Sequence, residues 1–134
     1  MNYTLDTNMI SALMRDNIRV KKKLRDAVFD GKEVSINGIS YYEIRRGLLA
    51  ANASKKLKVF DVFCRRFRVL LLDNQEIFDR ASKIYADLRK RGKLLPDADI
   101  LIAAMTLTQN LILVSADSHF SRIDSLAVEN WLKA

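Results

Sequence analysis

Apolar positions along the chain change their spacing several times, and each change marks an element. Tyr3 to Leu5 reads as a short strand that ends at Asp6-Thr7-Asn8. Met9, Ile10 and Leu13 then recur at helical spacing, so the chain opens as strand, turn, helix. Val20, Leu24 and Val28 predict one apolar face of a basic amphipathic helix from Val20 to Phe29, which Asp30-Gly31 stops. Val34-Ser35-Ile36 is a second strand, and Gly38 to Ser40 leads into a helix with Tyr41, Tyr42, Ile44 and Leu48. Asn52-Ala53-Ser54 is a break with Ser54 as the expected cap of the next helix. There Leu57, Phe60, Phe63, Cys64 and Phe67 form an apolar stripe.

Val69 to Leu72 is a continuous apolar run of strand length, the pattern of a buried parallel strand. Ile77, Ala81, Ile84, Tyr85 and Leu88 predict a longer helix closed by Arg89 to Gly92, and another helix runs from near Asp97 to Gln109. Ile112-Leu113-Val114 is a further strand, Ser118 to Phe120 a helical turn, and Ala127-Val128 begins a last strand. Strands alternating with helices imply an α/β fold with a central, mainly parallel sheet. With no repeat, linker or low-complexity segment, residues 1–134 are expected to form a single domain.

Composition narrows the function classes. Hydrophobic residues at 49% with four Gly and one Pro describe an ordered chain with a core to bury. The lone Cys64 has no internal disulfide partner and completes no zinc pattern, which fits a reducing, cytoplasmic setting. The N-terminus carries neither a basic flank nor an apolar core of the signal-peptide kind. Apolar runs such as Ile100 to Met105 are too short to cross a bilayer, so no membrane role is expected. The net charge of +7 points toward a polyanionic partner. Clusters such as Lys21-Lys22-Lys23 and Arg65-Arg66 serve equally well as solvated helix faces, and none alone marks a binding site.

The acids carry more information. Leu95-Pro96-Asp97-Ala98-Asp99 opens an otherwise apolar helix with two carboxylates, where one would suffice to cap it. In an open parallel sheet, ligands bind beyond the C-terminal strand ends. Asp6 follows the first strand directly, Asp117 follows Ile112-Leu113-Val114, and Glu43 opens the helix after the second strand. Asp99 opens the helix that leads into Ile112-Leu113-Val114, so double winding would bring all four to one sheet edge. Gathered carboxylates repel unless something positive neutralises them, and hard divalent cations take oxygen ligands of this kind. Such an ion lowers the pKa of a water and stabilises charge on a phosphate in flight. Each acid also has a purely local use. Asp6 and Asp117 can cap the helical segments after them, and Ser40-Tyr41-Tyr42-Glu43 has capping-box spacing. Residues two apart on a helix point about 200° from each other, so Asp97 and Asp99 cannot serve one site alike. Asp99 shares the inward face of Ile102 and Ala103 and is the expected ligand; Asp97 is the expected cap or a supporting acid.

In order along the chain, Leu5-Asp6-Thr7-Asn8, Glu43-Ile44-Arg45-Arg46-Gly47, Asp99-Ile100-Leu101-Ile102-Ala103-Ala104 and Leu113-Val114-Ser115-Ala116-Asp117 with Phe120 resemble the PIN-domain ribonucleases. Val128-Glu129-Asn130-Trp131 resembles the closing strand of their VapC-type toxin branch. The resemblance implies a PIN-like three-layer α/β/α sandwich. It implies an endoribonuclease dependent on Mg2+ or Mn2+, the toxin of a type II toxin–antitoxin pair, with Asp6, Glu43, Asp99 and Asp117 as catalytic and metal-binding acids. Thr7 and Ser115 match positions that support those acids. It further implies a homodimer, a VapB-type antitoxin whose C-terminal segment covers the site, and an RNA substrate such as transfer or ribosomal RNA loops. Asp97 is an acid beyond the family pattern.

Three other readings compete. A basic nucleic-acid-binding module would use every acid as a cap. An aspartate-based phosphatase of the haloacid dehalogenase type wants a second Asp two residues after the first, where Asn8 stands. A response-regulator receiver wants an acidic pair at the first strand, where Thr7 follows Asp6. His119, the only histidine, is expected to be a surface or RNA-contacting group rather than a base. Tyr41 and Tyr42 suit base stacking and core packing about equally.

Overall fold

A computed structural model describes residues 1–133. Strands β1 (Tyr3–Leu5), β2 (Val34–Asn37), β3 (Arg68–Leu70), β4 (Ile112–Val114) and β5 (Val128–Glu129) alternate with helices. The helices are α1 (Thr7–Met14), α2 (Ile18–Phe29), α3 (Gly38–Ala50), α4 (Ser54–Cys64), α5 (Gln75–Lys90) and α6 (Asp97–Thr108). A short 3-10 turn, Ser118–Arg122, follows β4.

All strand pairs are parallel, in the order β3-β2-β1-β4-β5. The chain therefore winds outward from β1 through β2 to β3, then returns to place β4 on the other side of β1. Alternation along the strands divides the core between two faces. Leu5, Ile36 and Val114 join Met9, Ile10, Val20 and Phe60 on one face, under α1, α2 and α4. Leu70 and Leu113 join Ile77, Leu88, Ile102 and Phe120 on the other, under α5 and α6. The parallel sheet is the one the alternation implied, and the three layers are those the family resemblance implied. No helix of the described residues is long and apolar enough to cross a membrane.

Several local expectations change. The third strand is an edge strand, Arg68–Leu70, and Leu71 is 61% exposed beyond it, so the run to Leu72 is not a buried strand. In α2 the inward stripe is Val20, Leu24 and Ala27, with Val28 exposed, because a 3.6-residue period drifts off a strict four-residue repeat. Ser54 lies inside α4, whose N-cap is Ala53 with no side-chain bond. Gly38 is fixed by contact: a Cβ there would stand 2.6 Å from the Leu70 carbonyl oxygen, so only hydrogen lets α3 start against β3.

Candidate active site

The register of β1 with both neighbours pairs Leu5 with Ile36 and with Val114. The next residues, Asp6, Asn37 and Ser115, therefore share one row at the C-terminal edge. This row lies where the winding reverses between β1 and β4, the crevice in which open α/β sheets bind ligands.

Asp6 is the centre of the row and is 6% exposed. Its Oδ1 accepts the Thr7 backbone N–H at 2.8 Å, which caps α1, and the Ser40 hydroxyl at 3.2 Å. Its Oδ2 accepts the Ser115 hydroxyl at 2.7 Å. The same Ser115 oxygen accepts the Asp117 backbone N–H at 3.1 Å, so one side chain from β4's exit steadies two carboxylates. Asn8 adds a clamp, its Oδ1 accepting the Ala116 N–H at 3.0 Å. Glu43, one turn and a half into α3, is half-buried, and its Oε1 accepts the Thr7 hydroxyl at 3.4 Å. Asp117 caps the 3-10 turn through the His119 N–H at 2.8 Å, with His119 Nδ1 also 3.2 Å from its Oδ1.

Asp99 differs from all of these. It caps nothing, because the N-cap of α6 is Pro96, and no hydrogen-bond donor of the described residues reaches its carboxylate. Burial raises its carboxyl pKa, and the negative charges of Asp117, Asp6 and Glu43 raise it further, against a smaller opposing effect of His119. Asp99 thus lies within electrostatic reach of the other three acids. No lysine or arginine of the described residues makes an ion pair with any of them. Among the described residues, no three Asp, Glu, His or Cys side chains stand close enough to enclose one ion as placed. The donor set is nevertheless all oxygen, negative and not paired with a lysine or arginine of the described residues, which fits a hard divalent ion.

Asp97 has no part in this cluster. It is exposed at the first position of α6 and lines a shallow hollow with Phe78, Tyr85 and Ile100 beside α5. The capping box at Ser40 and Glu43 does not form either. Asn37 caps α3 by accepting the Ser40 N–H at 2.8 Å, which leaves the Ser40 hydroxyl free for Asp6. Sequence reasoning missed Asn37, Ser40 and Asn8 as parts of the site. The Asn37-Gly38-Ile39-Ser40 spacing carried the signal for the first two, since Asn before a helix caps the third residue on. His119 lies exposed at the rim, and Tyr41 and Tyr42 part company, the first against Phe60 and the second outward.

Comparison with known proteins agrees with this architecture. The model of the PIN domain matches residues 3–126. Ribonuclease VapC1 of Methanocaldococcus jannaschii is 33% identical over 109 residues, covering 81% of this chain and 76% of the relative. Ribonuclease VapC1 of Haemophilus influenzae is 26% identical over 99% of this chain and all of its own length. Among solved structures, VapBC-1 from nontypeable Haemophilus influenzae superposes with a TM-score of 0.88 at 26% identity, covering 99% of this chain and 100% of that one. FitAcB from Neisseria gonorrhoeae superposes with a TM-score of 0.82 at 27% identity, over 98% of this chain and 99% of that one. Sequence and fold agree from end to end, and the chain belongs to the PIN-domain family, in its VapC ribonuclease branch.

Proposed function

We propose that the protein is an endoribonuclease toxin of a toxin–antitoxin pair, dependent on Mg2+ or Mn2+ held by Asp6, Glu43, Asp99 and Asp117. The carrying observation is Asp99. Capping accounts for Asp6 and Asp117 but not for a half-buried carboxylate that is not the cap of its helix, accepts no hydrogen bond from the described residues and feels the charge of three other acids. A binding module made only of caps has no use for it. A bound divalent ion would supply a lowered pKa for water and charge neutralisation at the phosphate. The chain's own part is positional. Asp6, fixed by Thr7, Ser40 and Ser115, gives the site a rigid floor. Ser115 sets Asp117 against it, and Thr7 sets Glu43.

The ribonuclease names of the relatives and the VapBC structures support the same reading, including an antitoxin partner. A groove of about 690 Å³ between α1, α2 and α4 suits such a partner. Its floor includes Leu24, Val59, Val62 and Phe63, and its rim carries Arg25, Lys58 and Arg66, with Lys21 paired to Asp16. Apolar floor and basic rim together match an acidic amphipathic segment. α1 joins the two regions, running from the Asp6 cap to Met14 at the groove, about 12 Å at the helical rise. A VapB-type segment seated there is within short reach of the carboxylates. A homodimer and transfer or ribosomal RNA loops complete the proposal.

The test compares wild type and Asp6→Asn on single-stranded and structured RNA, with Mg2+, with Mn2+ and with a chelator. Cleavage that survives the chelator refutes the metal reading. Equal cleavage by the variant refutes the site. Growth arrest on expression, relieved by co-expression of the antitoxin, separates a toxin from a housekeeping nuclease.

A further inference from the structure

Tyr41 and Tyr42 suit stacking and packing alike in the sequence, and the fold assigns one to each. Tyr41 is half-buried with its ring 5.5 Å from that of Phe60. Tyr42 is 58% exposed, and the Arg46 guanidinium lies 5.0 Å from its ring centroid. Arg46 makes no ion pair with a carboxylate among the described residues, although basic neighbours such as Arg45 do. Its cation is held by the ring instead, at an energy of about 0.5–1 kcal/mol typical of exposed pairs. At about 100° per residue, Arg46 sits roughly 40° round α3 from Tyr42, and Glu43 roughly 100°. Arg46 thus lies between the ring and the carboxylate that Thr7 ties to the site. Tyr42 first, and the Glu43 charge to a smaller degree, favour the charged form of the Arg46 guanidinium.

We propose that Tyr42 and Arg46 form a nucleotide-binding subsite beside Glu43, the ring stacking an unpaired base and the guanidinium holding a neighbouring phosphate. This rests on the nuclease reading above. The feature makes little sense as packing, because Tyr42 belongs to neither core cluster of the described residues and is more than half exposed. It makes sense as a platform. The ring face turned away from Arg46 can accept any base, and a cation with no carboxylate ion pair among the described residues can hold the backbone beside it. The substrate class follows. Bases in an A-form duplex already have both faces stacked, so the subsite selects single-stranded or loop RNA. Tyr42 and Arg46 are then substrate-binding residues, with their effect in KM more than in kcat.

The experiment measures binding by fluorescence anisotropy of a labelled single-stranded RNA, and of the same RNA annealed to its complement, in chelator so that nothing is cut. KM and kcat with Mg2+ provide the second readout. Tyr42→Ala is expected to weaken single-strand binding about tenfold and Tyr42→Phe by less than about twofold, because stacking needs the ring and not the hydroxyl. Arg46→Ala is expected to weaken binding and flatten its salt dependence by about one phosphate contact. Duplex binding should not move with Tyr42→Ala. Three results overturn the subsite: single-strand affinity and KM within about twofold of wild type in Tyr42→Ala, equal losses on single strand and duplex, or loss of antitoxin neutralisation with RNA binding intact. A wild type that cleaves no RNA with either ion instead refutes the nuclease reading on which the subsite depends. Both positions are exposed, so the variants are expected to melt as wild type does.

Discussion

Replacing Asp99 with Asn should stabilise the protein and disable it at once. Asp99 is held with its folded-state pKa above the usual carboxylate value, by burial first and then by Asp117, Asp6 and Glu43. The native state therefore binds this proton more tightly than the unfolded chain does. Stability falls as pH rises from the ordinary carboxylate range, about 4, through the raised native value, and the full penalty persists above it. Asn keeps the shape and removes the charge. In chelator at pH 8 the variant should melt higher than wild type. Each kcal/mol relieved would read as about 3–6 °C for a chain of this length. The difference should shrink as pH is lowered and vanish near pH 4. Metal reverses the order. At ten times its Kd, a divalent ion adds about 1.4 kcal/mol to wild type, and the variant, with a weakened site, gains little. RNA cleavage should fall by about a hundredfold or more. Differential scanning fluorimetry across pH, with Mn2+ and with chelator, reads the stability arm, and a quenched RNA substrate reads the other. A variant that melts below wild type in chelator at every pH, or that responds to Mn2+ as wild type does, would refute the reasoning.

Other perturbations test separate parts of the same account. Ser115→Ala removes the hydroxyl that bonds Asp6 at 2.7 Å and accepts from Asp117 at 3.1 Å, and should weaken Mn2+ binding about 10–100-fold in calorimetry with a native circular dichroism spectrum. Gly38→Ala pushes a methyl to 2.6 Å from the Leu70 carbonyl and should cost about 1–3 kcal/mol in urea unfolding with an unchanged m-value; a neutral result would show that β3 yields easily. Val62→Asp puts an acid at an exposed point in the basic-rimmed groove. It should leave RNA cleavage intact and raise the antitoxin concentration needed to block it by about tenfold; unchanged neutralisation would move the partner elsewhere.

Much of this protein was written locally. Short apolar runs and near-four periods placed the strands and helices, and their alternation implied a parallel α/β sheet, while the three-layer sandwich came from the family resemblance. The acids were equally visible, since Asp6 and Asp117 follow strands and Asp99 lies in the first turn of a helix, while Glu43 read as a first-turn acid and lies deeper in α3. Errors fell where a choice depended on neighbours across the fold. Leu71 and Leu72 read as buried until the topology made β3 an edge. Ser40 read as half of a capping box until Asn37 took the cap and turned the serine toward Asp6.

The sequence alone determined which residues are carboxylates, which periods they interrupt, and so that a charged edge would crown a parallel sheet. Tertiary structure decided between Tyr41 and Tyr42, sending one ring to Phe60 and the other to solvent, and it gave the cap of α6 to Pro96 rather than Asp97. Neighbours in sequence share composition but not direction, and on a helix a single step turns a side chain by about 100°. That turn separates a half-buried ring from an exposed one at Tyr41 and Tyr42, and two such turns set Asp97 and Asp99 on different sides of α6.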